Sequence, residues 1–249
     1  SLLVHRLQVA LALRDRLYPR PFYRLIHGES DGLPGLVLDR YGDVVVGQAG
    51  TAGMESLKAG IVAAVEQVIA PRAMVWKNDS GARELEGLPS YVEAALGEVP
   101  DHVEVEENGV RFRVPMGAGQ KTGWFYDQAA NRAAFLKYVA GKRVLDVFSY
   151  LGAWGLSAAR AGAAEVVCVD SSAPALELLQ ASADANGLAV ATRRGDAFDV
   201  LAALREAGER FDVVVVDPPA FIKRRRDIPK GQAAYRKLNQ LAMQLLPRD

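Results

Sequence analysis

The spacing of apolar side chains changes character once along the chain. From Ser1 to Leu17, Leu3, Leu7, Ala10, Leu11 and Leu17 recur at the helical period with Arg6, Arg14 and Arg16 between them. The pattern predicts a helix with no cap at its start, ended by Tyr18-Pro19-Arg20-Pro21, because proline lacks an amide donor and restricts the residue before it. β-rich runs follow at Phe22 to Ile26, Gly35 to Arg40 and Val44 to Gln48, the last two joined as a hairpin through Tyr41-Gly42-Asp43. Thr51 can cap a helix whose apolar positions Met54, Leu57, Ile61, Val65, Val68 and Ile69 run on to Pro71, and Ala73 to Lys77 is a further strand. Asp101 to Pro115 folds back at Asn108-Gly109, the favoured two-residue type I′ turn. Pairing outward sets Val105 against Phe112 and Val103 against Val114 on one face, with Glu106 against Arg111 and Glu104 against Arg113 on the other. The first half is therefore expected to be a small α+β domain.

Beyond Pro115, strand and helix alternate. Strands are expected at Arg143 to Val147, Glu165 to Val169, Val190 to Arg193 and Asp212 to Val216. Helices are expected at Leu156 to Ala161, Pro174 to Asn186, Val200 to Ala207 and about Gln232 to Leu246. A βαβ series of this kind makes an α/β domain on a parallel sheet with right-handed crossovers.

The chemistry gathers where those strands end. Val144-Leu145-Asp146-Val147 runs into a turn with Ser149 and Gly152, and in open α/β sheets ligands bind outside the carboxyl ends of the strands. The turn lacks the G-x-G-x-x-G that lets a helix N-terminus hold a pyrophosphate, and Asp146 would repel one. A carboxylate there suits a ligand with an ammonium and a sulfonium, which describes S-adenosylmethionine. An Asp that merely caps a helix would satisfy the same stretch. Asp170 ends the second strand about 20 residues on, where such folds hold ribose hydroxyls. Asp196 with Ala197 follows the third, suited to an adenine amine and ring, and Asp217-Pro218-Pro219-Ala220-Phe221 follows the fourth. Any one of these aspartates could be a cap; four in register point to a site.

Composition adds exclusions. Of 249 residues, 30 are basic and 30 acidic, so any nucleic-acid contact needs a local basic patch such as Lys223-Arg224-Arg225-Arg226, with Lys230, Arg236 and Lys237 beyond it. With Cys168 alone, no intrachain disulfide or cysteine metal cluster is possible, and a cytoplasmic location is expected. No secretory signal or membrane-spanning run is visible. His5 and His102 lack partners at ligand spacing, and His27, Glu29 and Asp31 read as loop residues; no metal is expected.

Asp-Val-Phe-Ser-Tyr-x-Gly (146–152), Val-Asp-Ser-Ser-x-x-Ala-Leu (169–176), Gly-Asp-Ala-Phe (195–198) and Asp-Pro-Pro-Ala-Phe-x-Lys (217–223) together resemble the class I methyltransferases that make 5-methylcytosine in large-subunit ribosomal RNA. Gln120-Lys121-Thr122-Gly123 and Asp127-Gln128 upstream add to the likeness. So do Arg24 to Gly35 and Arg83-Glu84-Leu85-Glu86-Gly87-Leu88, which resemble that family's small EEHEE-type central domain. The resemblance implies a Rossmann-like fold over 117–249, the central domain over 21–116 and, over 1–20, the remnant of a linker from an amino-terminal RNA-binding PUA domain. It implies that Lys121, Thr122, Asp127 and Gln128 close over S-adenosylmethionine, with Asp146, Phe148, Ser149 and Gly152 around its methionine part. Asp170 and Ser171 would hold the ribose, and Asp196 and Ala197 the adenine. Asp217 would border both cofactor and target base, with Pro218 and Phe221 in the base pocket, Phe221 stacking on a flipped base. Arg224 to Arg226 with Lys223 would bind phosphates of ribosomal RNA. Ala129 replaces the family's usual arginine and Ala153 a common glycine. A homodimer is compatible with the sequence.

Carbon 5 of cytosine is a poor nucleophile, so its methylation needs a thiolate to add at carbon 6. Cys168 lies in Val166-Val167-Cys168-Val169, patterned as a strand buried on both faces, and is expected to be inert. The resemblance places the nucleophilic cysteine beyond residue 249, after further strands. The chain is accordingly expected to be a fragment, with a truncated sheet that has a bare edge and no complete chemistry of its own. Two other readings stay open: methylation of an exocyclic base amine in RNA, for which Asp-Pro-Pro-aromatic suffices, and an RNA-binding module without turnover.

Overall fold

The structure, a computed structural model, describes residues 1–117, 122–222 and 224–247. The chain divides into two compact units, Ser1–Val105 with Val114–Tyr126, and Glu106–Arg113 with Asp127–Asp249. No helix among the described residues is long and apolar enough to cross a membrane.

In the first unit, α1 (Leu2–Leu17) precedes β1 (Phe22–His27), β2 (Leu36–Tyr41) and β3 (Val44–Ala49). Then come α2 (Ala52–Ser56), α3 (Lys58–Ile69), β4 (Ala73–Asn78), α4 (Ala82–Leu85) and β5 (Tyr91–Leu96). The five strands form one sheet in that order, antiparallel except for the parallel pair β3–β4 that α3 bridges. Leu7 and Ala10 of α1 are buried in the same core as Leu25, Leu38, Ile61 and Trp76, whereas Leu17, on the predicted stripe, is exposed. Ser1 caps α1, its Oγ accepting the Val4 N–H at 3.3 Å, so the helix is not uncapped as its sequence suggests. Thr51 caps as expected, but the helix it begins breaks at Leu57. Arg83, the first residue of the Arg-Glu-Leu-Glu-Gly-Leu stretch, is buried, donating to the carbonyls of Pro89 and Ala49 and pairing with Glu55. In this structure that stretch therefore ties β3 and α2 to the segment entering β5.

The hairpin of β6 (His102–Glu107) and β7 (Val110–Pro115) turns at Asn108 and Gly109, both with positive φ (52° and 74°) as type I′ requires. Val103, Val105, Phe112 and Val114 are buried and Glu104 and Arg111 exposed, the alternation expected of a half-buried ribbon.

The second unit continues with α5 (Ala129–Phe135), β8 (Arg143–Val147), α6 (Ala153–Arg160), β9 (Glu165–Asp170), α7 (Ala173–Ala185) and β10 (Ala191–Arg194). It ends with α8 (Ala197–Glu206), β11 (Val213–Val216) and α9 (Ile228–Gln244). Its sheet is wholly parallel in the order β10-β9-β8-β11. Two crossovers carry the chain from β8 to β10, and the next returns it to the far side of β8, so the order reverses between β8 and β11. Leu145, Val147, Val167 and Val169 face one core with Leu201 and Leu204 of α8, Leu238 and Leu241 of α9, and Leu245 just after it. Burying each leucine contributes roughly 1.5–3 kcal/mol. The alternate residues Asp146, Val166 and Cys168 meet α6 on the other face at Gly155. Helices on both faces of a parallel sheet make this a Rossmann-like α/β unit.

Candidate functional site

After β8 the backbone turns sharply. Phe148 (φ 67°) and Tyr150 (φ 49°) take left-handed conformations that cost a non-glycine residue roughly 1–3 kcal/mol each. Neighbouring groups hold them there. The N–H groups of Phe148 and Ser149 donate to the Val169 carbonyl at 2.9 and 3.0 Å, and the Tyr150 N–H donates to Asp170 Oδ2 at 2.8 Å. Gly152 (φ 79°) closes the turn and starts α6 one turn before the apolar period does; a Cβ there would lie 2.7 Å from Leu179.

Asp146 is fully buried. Its Oδ2 accepts the Gly155 N–H at 2.9 Å, while its Oδ1 and the Ser149 hydroxyl are buried with no hydrogen-bond partner among the described residues. Burial pushes the Asp146 carboxyl up to about 7; the Gly155 N–H opposes this, the charges of Asp217 and Asp170 add to it, and Arg132 counters them. Buried polar atoms left unpaired cost about 1–3 kcal/mol each, so each of the two gains from a bound partner. A cationic ammonium offers such donors and relieves the clustered negative charge of Asp146, Asp170 and Asp217. The residues present therefore fit the methionine end of S-adenosylmethionine.

The other strand ends differ from one another. Asp170 is held by two backbone donors, Tyr150 at 2.8 Å and Ser172 at 2.9 Å, which fix both carboxylate oxygens; Ser171 beside it is exposed. Asp196 caps α8 through the Phe198 N–H at 2.9 Å, with Ala197 buried behind it. The simple capping role thus holds for Asp196 in this structure, and its exposed carboxylate retains lone pairs for a ligand. Asp217 is exposed just past β11, with Pro218 half-buried beside it. The Phe221 ring is half-buried within an aromatic group, 4.7 Å from Tyr235, 6.0 Å from Phe198 and 6.4 Å from Phe148 between centroids. It packs on the α8–α9 side of the sheet, and its N–H donates to the Tyr235 hydroxyl at 3.1 Å.

Arg224, Arg225 and Arg226 are exposed in a turn that leads straight into α9, which begins earlier than its apolar period indicates. Asp227 follows them, accepting the Arg224 N–H at 3.1 Å and lying 3.9 Å from Arg226 Nε. Lys121 and Lys223 lie outside the described residues. Thr122, in the first unit, is buried with its hydroxyl donating to Asp39 at 2.5 Å; Asp39 also pairs with Arg24. In the second unit, Asp127 is exposed and Gln128 accepts from Asn131 at 3.0 Å. Among the described residues no group of three or more His, Cys, Asp or Glu side chains converges as a metal site.

Two residues that the sequence pattern does not single out also border the site. Trp154 donates its indole N–H to Asp217 Oδ2 at 3.2 Å, and Arg132 is buried in a bidentate pair with Glu107 at 2.5 and 2.8 Å. Neither sits in a recognisable motif, since both gain their role from partners distant in the chain. The lone cysteine is buried against Asp146, and both burial and that carboxylate push its thiol well above the usual range.

Both the sequence and the fold resemble those of known proteins. The chain is 43% identical over 251 residues to the ribosomal RNA large subunit methyltransferase I of Photobacterium profundum, a match covering 98% of this chain and 63% of that protein. The chain thus spans about 63% of the length of the curated relatives it matches. A Streptococcus mutans protein assigned as an S-adenosylmethionine-dependent methyltransferase superposes with a TM-score of 0.83 at 26% identity, over 98% of this chain and 64% of that one. A methyltransferase-assigned protein solved with S-adenosylhomocysteine gives 0.84 at 27% identity, over 99% and 65%. Residues 65–248 match the S-adenosylmethionine-dependent methyltransferase family, and with that share of the chain matched, the chain belongs to it.

Proposed function

We propose that this protein transfers the methyl group of S-adenosylmethionine to RNA of the large ribosomal subunit, at carbon 5 of a cytosine. The observation that carries the cofactor half is the pair of buried, unpartnered acceptors, Asp146 Oδ1 and Ser149 Oγ, beside the strained turn. In this reading they receive the ammonium of the methionine part, Asp170 and Ser171 face the ribose, and Asp196 with Ala197 the adenine. Lys121, Thr122, Asp127 and Gln128 are assigned to closing the site. When bound, the cofactor supplies an electrophilic methyl on a sulfonium. Asp217, Pro218 and Phe221 are assigned to the acceptor base, with Phe221 acting from its aromatic group.

Ribosomal RNA is what the relatives' names supply, and the exposed Arg224 to Arg226 suit it electrostatically. Cys168 is too buried and too weakly acidic to be the thiolate that carbon-5 chemistry needs, so in this reading the thiolate comes from outside these 249 residues. The same burial favours a second reading, methylation of an exocyclic amine, which brings its own lone pair. Mass spectrometry of ribosomal RNA from a strain lacking the gene separates them: loss of one 5-methylcytosine supports the first, and loss of a methylated adenine or guanine in its place refutes it.

A further inference from the structure

We propose that Trp154 is a positioning residue for the acceptor base: its indole N–H anchors one oxygen of Asp217, so that the other is presented as a fixed hydrogen-bond acceptor for an exocyclic amine. The inference rests on the assignment of Asp217 to the base. An exposed carboxylate at a strand end is ordinarily free to rotate, and a rotating acceptor reads a base edge poorly. Here both ends of the contact are held. Asp217 is fixed through its backbone, whose N–H donates to Val147 at 3.4 Å, and through Trp154 Nε1–H on Oδ2 at 3.2 Å. Trp154 lies in the first turn of α6, next to Gly155, whose own N–H is tied to Asp146. Its ring meets Phe135 of α5 edge-on, at 5.4 Å between centroids and 84° between planes.

Indole nitrogen donates only, and an ionised carboxylate accepts only, so the contact has one polarity. The remaining Asp217 oxygen can then take an amine hydrogen, as cytosine offers at position 4, whereas uracil turns a carbonyl oxygen toward it. An acceptor set against an acceptor leaves both unpaired, which disfavours uracil by roughly tenfold or more.

The test uses the 249-residue chain saturated with S-adenosylhomocysteine and follows binding of cytidine and uridine 5′-monophosphates by chemical-shift titration. Wild type is expected to prefer the cytidine nucleotide by roughly tenfold. Trp154→Phe, which keeps the edge contact with Phe135 and deletes the donor, is expected to weaken that preference severalfold. An undiminished preference in Trp154→Phe overturns the inference while leaving the function intact. No preference in wild type overturns the assignment of Asp217 and the inference with it, and no binding of S-adenosylhomocysteine overturns the cofactor reading and both. A second measurement does not depend on that variant folding: the Trp154 indole resonance is expected to shift in Asp217→Ala, and an unmoved resonance shows that the contact does not form.

Discussion

Asp146 accepts the Gly155 N–H at 2.9 Å on one carboxylate oxygen and buries the other with no partner among the described residues. The folded protein thus holds this carboxyl at about 7 against an ordinary 3.8, with burial as the main cause. The unfolded chain releases the proton near 3.8 and the folded chain near 7, so the group's contribution to stability is full at low pH and lost as pH rises through about 7. Asp146→Asn keeps a neutral side chain of the same shape. It should gain on the order of 2 kcal/mol over wild type between pH 5 and pH 8, read from denaturant midpoints at the two values.

The same carboxyl sets the pH dependence of cofactor affinity. A cationic methionine group favours ionised Asp146, so S-adenosylhomocysteine should bind more tightly as pH rises from 6 towards 7.5, with release of a proton. Calorimetry at pH 6.5 in buffers of different ionisation enthalpy checks this. Proton uptake, or none, would count against Asp146 as the ammonium's partner.

Gly155 marks how closely α6 approaches the sheet. A Cβ at that position would lie 2.5 Å from the Cys168 sulfur and 3.1 Å from Asp146 Oδ2. Gly155→Ala should lower stability by about 1–3 kcal/mol through overpacking, even though alanine is the better helix former. A thermal-melting comparison decides; an unchanged or higher midpoint would show that the helix gives way freely.

Cys168 should be unreactive towards iodoacetamide in the folded chain and alkylated readily once unfolded, because a buried thiol held above its usual range supplies little thiolate. Mass spectrometry of the two reactions reads the outcome. Rapid alkylation of the folded protein would reopen Cys168 as a nucleophile.

Much of the second unit was legible because its signals are local. The runs at Val144, Val166 and Val213 are short, apolar and bounded, and an Asp lies at or near the end of each. The Asn108-Gly109 hairpin was legible for the same reason: the turn needs two positive φ angles that these residues tolerate. Strand β5 was not. Val92, Glu93 and Ala94 are exposed in a row with no clean alternation, and the segment is a strand because β4 offers it a partner. The early starts of α6 and α8 depend on caps at Gly152 and Asp196, not on apolar spacing. Trp154, Arg132 and the aromatic group around Phe221 depend on contacts between residues far apart in the chain, which no spacing rule registers.

Calorimetric titration of the chain with S-adenosylhomocysteine, set beside an identical titration with NAD, decides which cofactor the strand ends hold. Saturable binding of S-adenosylhomocysteine alone is predicted, weakened at least tenfold in both Asp146→Ala and Asp170→Ala, a loss of about 1.4 kcal/mol or more. Saturable binding of NAD with no binding of S-adenosylhomocysteine would show that Asp146 and Asp170 do not form an S-adenosylmethionine site.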